Sequence, residues 1–171
     1  MKSTMLSFIA IAFLLFSYSA NAQTSKEDKQ KAKKQLITSI VVDSQHYVFV
    51  PQTASPQRGG LKHLDGSYDI VISKDSIKSY LPYYGTAYSG VEYGSTTSPL
   101  EFVSTKFNYT STPKKKNDGW DITIETKDQT DSKKLMFSIF DNGNTGLIVT
   151  TSNRSQISFN GDIEAVKPKK K

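Results

Sequence analysis

The chain of 171 residues contains no cysteine and only two histidines. The absence of cysteine excludes disulfide bonds, thiolate metal sites and thiol nucleophiles. Neither His46 nor His63 has a further ligand at metal-binding spacing on the same strand face or helix turn, so both are interpreted as structural or solvent-exposed. We therefore expect no metal and no cofactor.

Sequence motifs of common enzymes are also missing. The chain has no nucleophile elbow, no zinc-protease motif and no glycine-rich phosphate loop. Carboxylate chemistry would remain, but no pair of acidic residues stands out as a general acid and base. The sequence predicts a protein that is not an enzyme, and a hydrolase-type activity is the least favoured of three functional hypotheses.

Long hydrophobic runs are absent apart from one near the start. A mostly apolar run of eleven residues ends at Phe16, which is too short for a bilayer core that needs about 20 residues. A lysine precedes the run, and a small-x-small sequence that ends at Ala22 follows it, as signal peptidase requires. We predict a signal peptide over residues 1–22 and an exported protein, periplasmic or secreted, without a transmembrane segment. Because no cysteine follows, a lipoprotein is excluded.

The net charge of +6 is carried by the two ends of the chain. Five lysines lie between residues 26 and 34 and four between 167 and 171, whereas residues 40–165 contain 12 Lys and Arg against 14 Asp and Glu. A nucleic-acid interface would concentrate basic residues on a folded surface, so we expect no nucleic-acid partner. The predicted organisation is a basic, partly solvated helix start (23–35), one β-rich domain (36–166) and a disordered basic tail (167–171).

One helix is predicted, from Ser25 to about Asp43. Apolar residues recur at helical spacing in its second half: Ala32, Leu36, Ile37, Ile40 and Val41. A basic helix lying on a membrane surface is a less favoured alternative, because the apolar face lacks Trp and Phe.

The remainder alternates with the period of β-strands. Single strands are predicted at residues 46–52, 100–109 and 120–125, and further strands follow, with turns at Asp141-Asn-Gly-Asn and Asn160-Gly161. The short turns predict a mainly β fold, an antiparallel and strongly curved sheet of about seven to eight strands with the helix packed on it. The sequence does not distinguish among a half-barrel, a sandwich and a closed barrel.

Residues 81–94 combine four tyrosines with three glycines and a proline, a composition typical of a shaped loop. The tyrosines are candidate binding residues, because rigid amphipathic rings anchor interfaces at a low entropic cost. They are Tyr83, Tyr84, Tyr88 and Tyr93. For the first two, completion of the core is favoured. For Tyr88 and Tyr93, an exposed position is expected about as much as a position in the core.

Arg154 is a further candidate, since it is one of two arginines in a chain that otherwise uses lysine. An arginine at such a position indicates a need for a planar donor fork. The favoured interpretation is a structural fork that bonds loop carbonyls or the carboxylate of Asp162 or Glu164. The alternative is a contact with an anionic group of a ligand.

Several segments resemble a known family. The segment Leu81-Pro-Tyr-Tyr-Gly-Thr-Ala-Tyr88 is similar to the signature of exported Gram-negative bacterial proteins known as domain of unknown function 4251. The stretch Phe49–Pro56 and the C-terminal block around Ser152-Asn153-Arg154 also fit, in the same order. The resemblance covers residues 36–166 and implies export and a single fold, and the family has no assigned activity.

The first functional hypothesis is therefore a non-enzymatic binding or interaction module that uses the tyrosine loop. Its partner would be an envelope protein, a glycan or a small ligand. The alternative is a carrier in which the sheet curls into a cup around a small ligand.

Overall fold

The computed structural model describes residues 26–88, 97–116 and 118–166 of the chain. The predicted signal peptide, the basic tail and Tyr93 lie outside these residues. Helix α1 (26–38) continues into one π-helical turn, Ser39–Asp43. Ten strands follow: β1 (Tyr47–Pro56), β2 (Lys62–His63), β3 (Asp69–Ile72), β4 (Ile77–Tyr80), β5 (Glu101–Ser104), β6 (Phe107–Pro113), β7 (Gly119–Thr126), β8 (Lys133–Phe140), β9 (Asn144–Thr151) and β10 (Ile157–Ala165).

All ten strands belong to one antiparallel sheet in the order β5-β4-β3-β1-β10-β9-β8-β7-β6, with β2 paired to β1 off this path. The sheet curves into a nearly closed, barrel-like shape. The predicted mainly β class with one N-terminal helix is confirmed, and the single sheet decides against a sandwich. The strand number is ten rather than seven to eight.

The alternation along the strands places a continuous core inside the sheet. In β8, Leu135, Phe137 and Ile139 are buried while their neighbours face outward. Phe49 of β1 meets Phe137 edge-to-face at 5.7 Å between ring centroids, the geometry that the quadrupoles of aromatic rings favour. Large side chains therefore fill the interior.

The helix packs on the sheet with only part of the predicted apolar stripe. Ile37, Ile40 and Val41 are buried, whereas Leu36 is 50% exposed. A π-helical turn advances fewer degrees per residue than an α-helix, so it rotates the last turn relative to an even four-residue spacing. No helix among the described residues is long and apolar enough to cross a membrane.

A short chain of hydroxyl groups joins this helix to the sheet. The Tyr109 hydroxyl donates to the Val41 carbonyl at 3.2 Å and lies 3.2 Å from the Tyr47 hydroxyl. Tyr47 is fully buried, and burial raises the pKa of its phenol well above the ordinary value. Both tyrosines therefore stay protonated at neutral pH and fix the end of the helix against β1 and β6.

The single strand predicted at residues 100–109 is wrong, because the chain breaks there into β5 and β6. Asp128, in the turn after β7, accepts the backbone N–H groups of Thr105 (2.7 Å) and Lys106 (3.1 Å) and the hydroxyl of Ser104 (2.6 Å). Those donors lower the pKa of the Asp128 carboxyl strongly. A carboxylate that is distant in sequence thus holds a corner that the local pattern does not show.

The turn predicted at Asn160-Gly161 is also wrong, since β10 runs straight through it. Gly161 pairs with Pro51 of β1, next to a bulge between Pro51 and Thr53. A β-carbon at position 161 would clash with the Val50 backbone. Glycine is used here for close approach of two strands, and not for a turn. By contrast, the turn predicted at residues 141–144 does join β8 to β9, and it occupies residues 141–143.

Candidate functional site

The described part of the tyrosine-rich segment, residues 81–88, leaves the sheet at the end of β4 and is called the tyrosine loop below. It lies against the link between β9 and β10. The backbone N–H of Tyr88 donates to Asn153 O and that of Ser155 donates to Thr86 O, both at 2.9 Å, around a single bridge between Ala87 and Arg154. The loop is thus held as a short additional strand pair.

Tyr83 fastens the loop from within. Its half-buried hydroxyl donates to the carbonyls of Ser155 (2.8 Å) and Thr86 (3.1 Å), and it lies 3.0 Å from Ser155 Oγ. The same Ser155 Oγ accepts the Thr86 N–H at 2.9 Å. Tyr83 thus packs against the core, as expected, and its hydroxyl also closes a polar joint between two segments.

Gly85 makes this joint possible. A β-carbon at this position would overlap the hydroxyl and ring carbon of Tyr83 and would lie 2.5 Å from Ser155 Oγ. Tyr83 and Ser155 are held by mutual hydrogen bonds, so neither is free to retreat. Only glycine leaves room for the ring to cross the loop.

The loop borders an open cleft of about 410 Å³, called the tyrosine cleft below. Three tyrosines, one arginine and one acid contribute to its walls: Tyr68, Tyr80, Tyr83, Arg154 and Glu101. Leu81, Pro82 and residues 97–99 complete it. Its volume falls within the range of roughly 300–1,000 Å³ typical of small-molecule sites.

Two of the tyrosines form one aromatic wall. The rings of Tyr68 and Tyr80 stack with centroids 5.4 Å apart and an interplanar angle of 27°. Tyr80 belongs to β4 and is 47% exposed, so the ring faces water from a fixed strand position. Desolvation and the neighbouring Tyr84 raise the pKa of Tyr68, and its phenol remains a hydrogen-bond donor at neutral pH.

Arg154 also lines the tyrosine cleft. Its guanidinium lies 5.7 Å from the centroid of the Tyr83 ring, within reach of a cation–π contact. None of the ion pairs between described residues involves Arg154, and Asp162 instead accepts a hydrogen bond from Gln52 at 2.7 Å. The predicted fork on Asp162 is therefore not formed.

Lys133, which the sequence analysis missed, places a second cation nearby. It is only 5% exposed, donates to Asp131 O at 2.9 Å and lies 5.0 Å from the Phe102 ring centroid. Burial lowers the pKa of its ammonium, Asp131 opposes this, and the charge of Arg154 lowers it further. A signal was available, because Lys133 occupies an inward position in the alternation of β8.

A smaller pocket of about 120 Å³ also borders the loop and is called the Arg58 pocket below. Arg58, Tyr88 and Gly85 contribute to it, and Tyr88 is 67% exposed. Tyr84 is 41% exposed and belongs to the described lining of neither pocket. Of the predicted site residues, Tyr83 and Arg154 line the tyrosine cleft and Tyr88 lines the Arg58 pocket. No group of three potential metal ligands occurs in residues 26–88, 97–116 and 118–166.

Comparisons with known proteins agree with this fold. The family described as "Domain of unknown function (DUF4251)" matches residues 26–163. A crystal structure of a protein of this family from Bacteroides eggerthii superposes with a TM-score of 0.57 at 9% sequence identity, covering 80% of this chain and 91% of that chain. No curated protein matches. The family match spans most of the chain, and the resemblance seen in the tyrosine loop is confirmed: the chain belongs to the DUF4251 family.

Proposed function

We propose that the protein is an exported, non-enzymatic binding module and that the tyrosine cleft is its binding site. One observation carries the proposal. A cleft of about 410 Å³ brings three tyrosines together with Arg154, which forms no ion pair with any described residue.

The residue types in the cleft are those that contribute most to binding energy. Tyrosine and arginine are enriched among residues whose removal costs an interface the most, because they combine contact area with directed polar groups. Tyr80 is held by β4 and Tyr83 by its joint with Ser155. Side chains held in this way lose little conformational entropy when a ligand binds.

The packing favours a surface module over the cup-like carrier. A carrier needs space inside the sheet, whereas Tyr47, Phe49, Phe137 and Phe159 are buried there. The tyrosine cleft opens at the surface beside the loop. A partner that touches this cleft needs no passage into the core.

Export is the second part of the proposal. It is supported by the apolar run that ends at Phe16 and by the small-x-small sequence that ends at Ala22. The proposed partner is accordingly an envelope protein, a glycan or a small ligand outside the cytoplasm.

Two matched double variants test the proposed site. Tyr80→Ala/Arg154→Gln removes one tyrosine and one arginine from the tyrosine cleft, and Tyr88→Ala/Arg58→Gln removes the same residue types from the Arg58 pocket. Each chain is used to capture partners from an envelope extract of its own host, and bound molecules are quantified by mass spectrometry.

The Tyr80→Ala/Arg154→Gln variant is expected to capture at least about tenfold less of its partner than the unmodified chain, which corresponds to a loss of about 1.4 kcal/mol in binding free energy. The second is expected to stay within about twofold of the unmodified chain. Circular dichroism of each variant establishes that it is folded. Equal capture by both variants would contradict the proposed site.

A further inference from the structure

We infer that the tyrosine cleft takes an acidic saccharide, with a sugar ring against the Tyr80 ring and its carboxylate on Arg154. This inference rests on the proposed function and names the ligand class for the same site. Uronic-acid residues have this chemistry, whether in a free oligosaccharide or in an envelope polymer.

The aromatic wall fits the flat side of a sugar. One face of Tyr80 packs on Tyr68, and the ring is nearly half exposed toward the cleft. The face of an aromatic ring carries partial negative charge, and the axial C–H groups of a pyranose carry partial positive charge. A sugar ring lying flat on Tyr80 therefore gains contact area and electrostatic attraction together.

The cations give the cleft its preference for an acid. Arg154 lines the cleft, and the buried Lys133 lies close enough to be affected by the Arg154 charge. The Arg154 charge lowers the pKa of the Lys133 ammonium, and a ligand carboxylate bound to Arg154 would weaken that repulsion. The guanidinium fork also matches a carboxylate in shape, which an ammonium group does not.

Glu101 supplies the complementary acceptor. It lines the same cleft as Arg154, yet the two do not form an ion pair within 4.0 Å. An ionised carboxylate only accepts hydrogen bonds, and the hydroxyl groups of a sugar are the donors that it needs. An aromatic face, a cation and an anion in one cleft thus correspond to the C–H face, carboxylate and hydroxyls of a uronic acid.

A proline-rich or other apolar peptide fits less well. Such peptides fill aromatic grooves with apolar side chains, whereas this cleft also contains Glu101, Thr97 and Ser98. A peptide partner is therefore an outcome of the test and not the ligand proposed.

The test is an NMR titration of the full mature chain with short oligogalacturonides and with neutral oligogalactosides of the same length. The acidic sugars are expected to bind at least tenfold more tightly and to shift the signals of Tyr80, Arg154 and Glu101. In the unmodified chain, acidic sugar should also raise the pKa of Lys133, read from its 13Cε shift. A lysine that merely packs in the structure would not respond.

Two matched charge variants complete the experiment. Arg154→Gln is expected to remove the preference for acid and leave weak binding of both sugars, while Arg58→Gln should retain the full preference. Arg154→Lys should restore part of it, since the charge returns without the fork. The Lys133 titration uses the unmodified chain and decides the question even if an Arg154 variant does not fold.

The outcomes separate the two claims. Equal binding of acidic and neutral sugars, or no binding of either, overturns the inference. If a captured host partner, such as a peptide, still depends on Tyr80 and Arg154, the proposed function stands and only the ligand class is wrong. If capture does not depend on them, both are wrong.

Discussion

The tyrosine cleft and the Arg58 pocket both border the tyrosine loop, and both contain tyrosine and arginine. Each has an arginine and at least one tyrosine in its lining. In the cleft, Tyr80 belongs to a strand and Arg154 packs beside the hydrogen-bonded Tyr83. In the Arg58 pocket, Arg58 precedes Gly59 and Gly60, which both have positive φ angles, and Tyr88 is mostly exposed.

The difference teaches that composition alone does not make a binding site. A side chain contributes to binding when the scaffold already holds it in its bound position, because less conformational entropy is then lost. Arg154 and Arg58 have the same side chain, but their surroundings in the fold differ. Four single substitutions test this contrast.

Gly85→Ala should have the largest effect, because Gly85 lines the Arg58 pocket and also packs against Tyr83, which lines the tyrosine cleft. The new methyl group would overlap Tyr83 and force the joint with Ser155 apart. We expect a loss of about 2 kcal/mol in the free energy of unfolding, the size typical of overpacking, measured by urea denaturation. Gly146→Ala is the control, since its β-carbon would meet only Asn160 Oδ1 at 3.7 Å. Equal stability of both variants would show that the joint is loose.

Tyr83→Phe should have the next largest effect, because it weakens the joint with Ser155 and Thr86 but keeps an aromatic ring in the wall of the tyrosine cleft. It removes the hydrogen bonds to the carbonyls of Ser155 and Thr86 but keeps the ring beneath Arg154. A loss of about 1 kcal/mol is expected for a part-buried hydroxyl of this kind. Tyr84→Phe, at an exposed tyrosine of the same loop, should leave the urea midpoint unchanged. A comparable loss in that variant would contradict the assignment.

Lys133→Met should alter the pH dependence of stability. The folded state lowers the pKa of Lys133 below its unfolded value of about 10.4, so the folded protein binds fewer protons in this window. The destabilising contribution of the buried charge is therefore fully present at neutral pH and is relieved as pH rises through the folded pKa toward the unfolded one. Denaturation between pH 7 and 10 should show the unmodified chain gaining stability relative to the variant. If the unfolding free energies of the unmodified chain and the variant changed in parallel with pH, a lowered pKa of Lys133 would be excluded.

Arg58→Gln should have the smallest effect. The side chain is exposed, and a surface substitution of this type usually changes stability by less than about 0.5 kcal/mol. The melting temperature and partner capture should both match those of the unmodified chain. A clear loss of partner capture in this variant would indicate that the Arg58 pocket, and not the tyrosine cleft, is the binding site.

Much of the fold could be predicted because the deciding interactions are local. The alternation of buried and outward-facing residues identifies β7 and β8 from their own sequences, and the turn at residues 141–143 is likewise determined by its own few residues. The family resemblance in residues 81–88 was likewise visible in one short segment. The break at residues 105–106 was not visible, because the Asp128 carboxylate that holds it lies more than twenty residues away.

The site could be predicted only in part, for the same reason. The tyrosines and Arg154 stood out by composition, but the partner of Tyr83 is Ser155, 72 residues distant. Tyr68 and Tyr80 gained a role only when the strands β3 and β4 brought their rings together. Residue types indicated candidate chemistry, and the pairing of strands decided which candidates share a cleft.

The corner held by Asp128 has a consequence for the topology of the whole sheet. Strands β5 and β6 are the two ends of the sheet order, yet only residues 105 and 106 separate them in the chain. The ring of strands is thus completed by two covalently linked residues whose backbone N–H groups Asp128 accepts, and not by a ladder of paired strands. Because the folded state lowers the pKa of Asp128 below the unfolded value of about 3.9, this stabilisation is present at neutral pH and fades as pH falls below that value. Acid should open the ring at this one junction first, with amide exchange at Thr105 and Lys106 rising before that of the core strands.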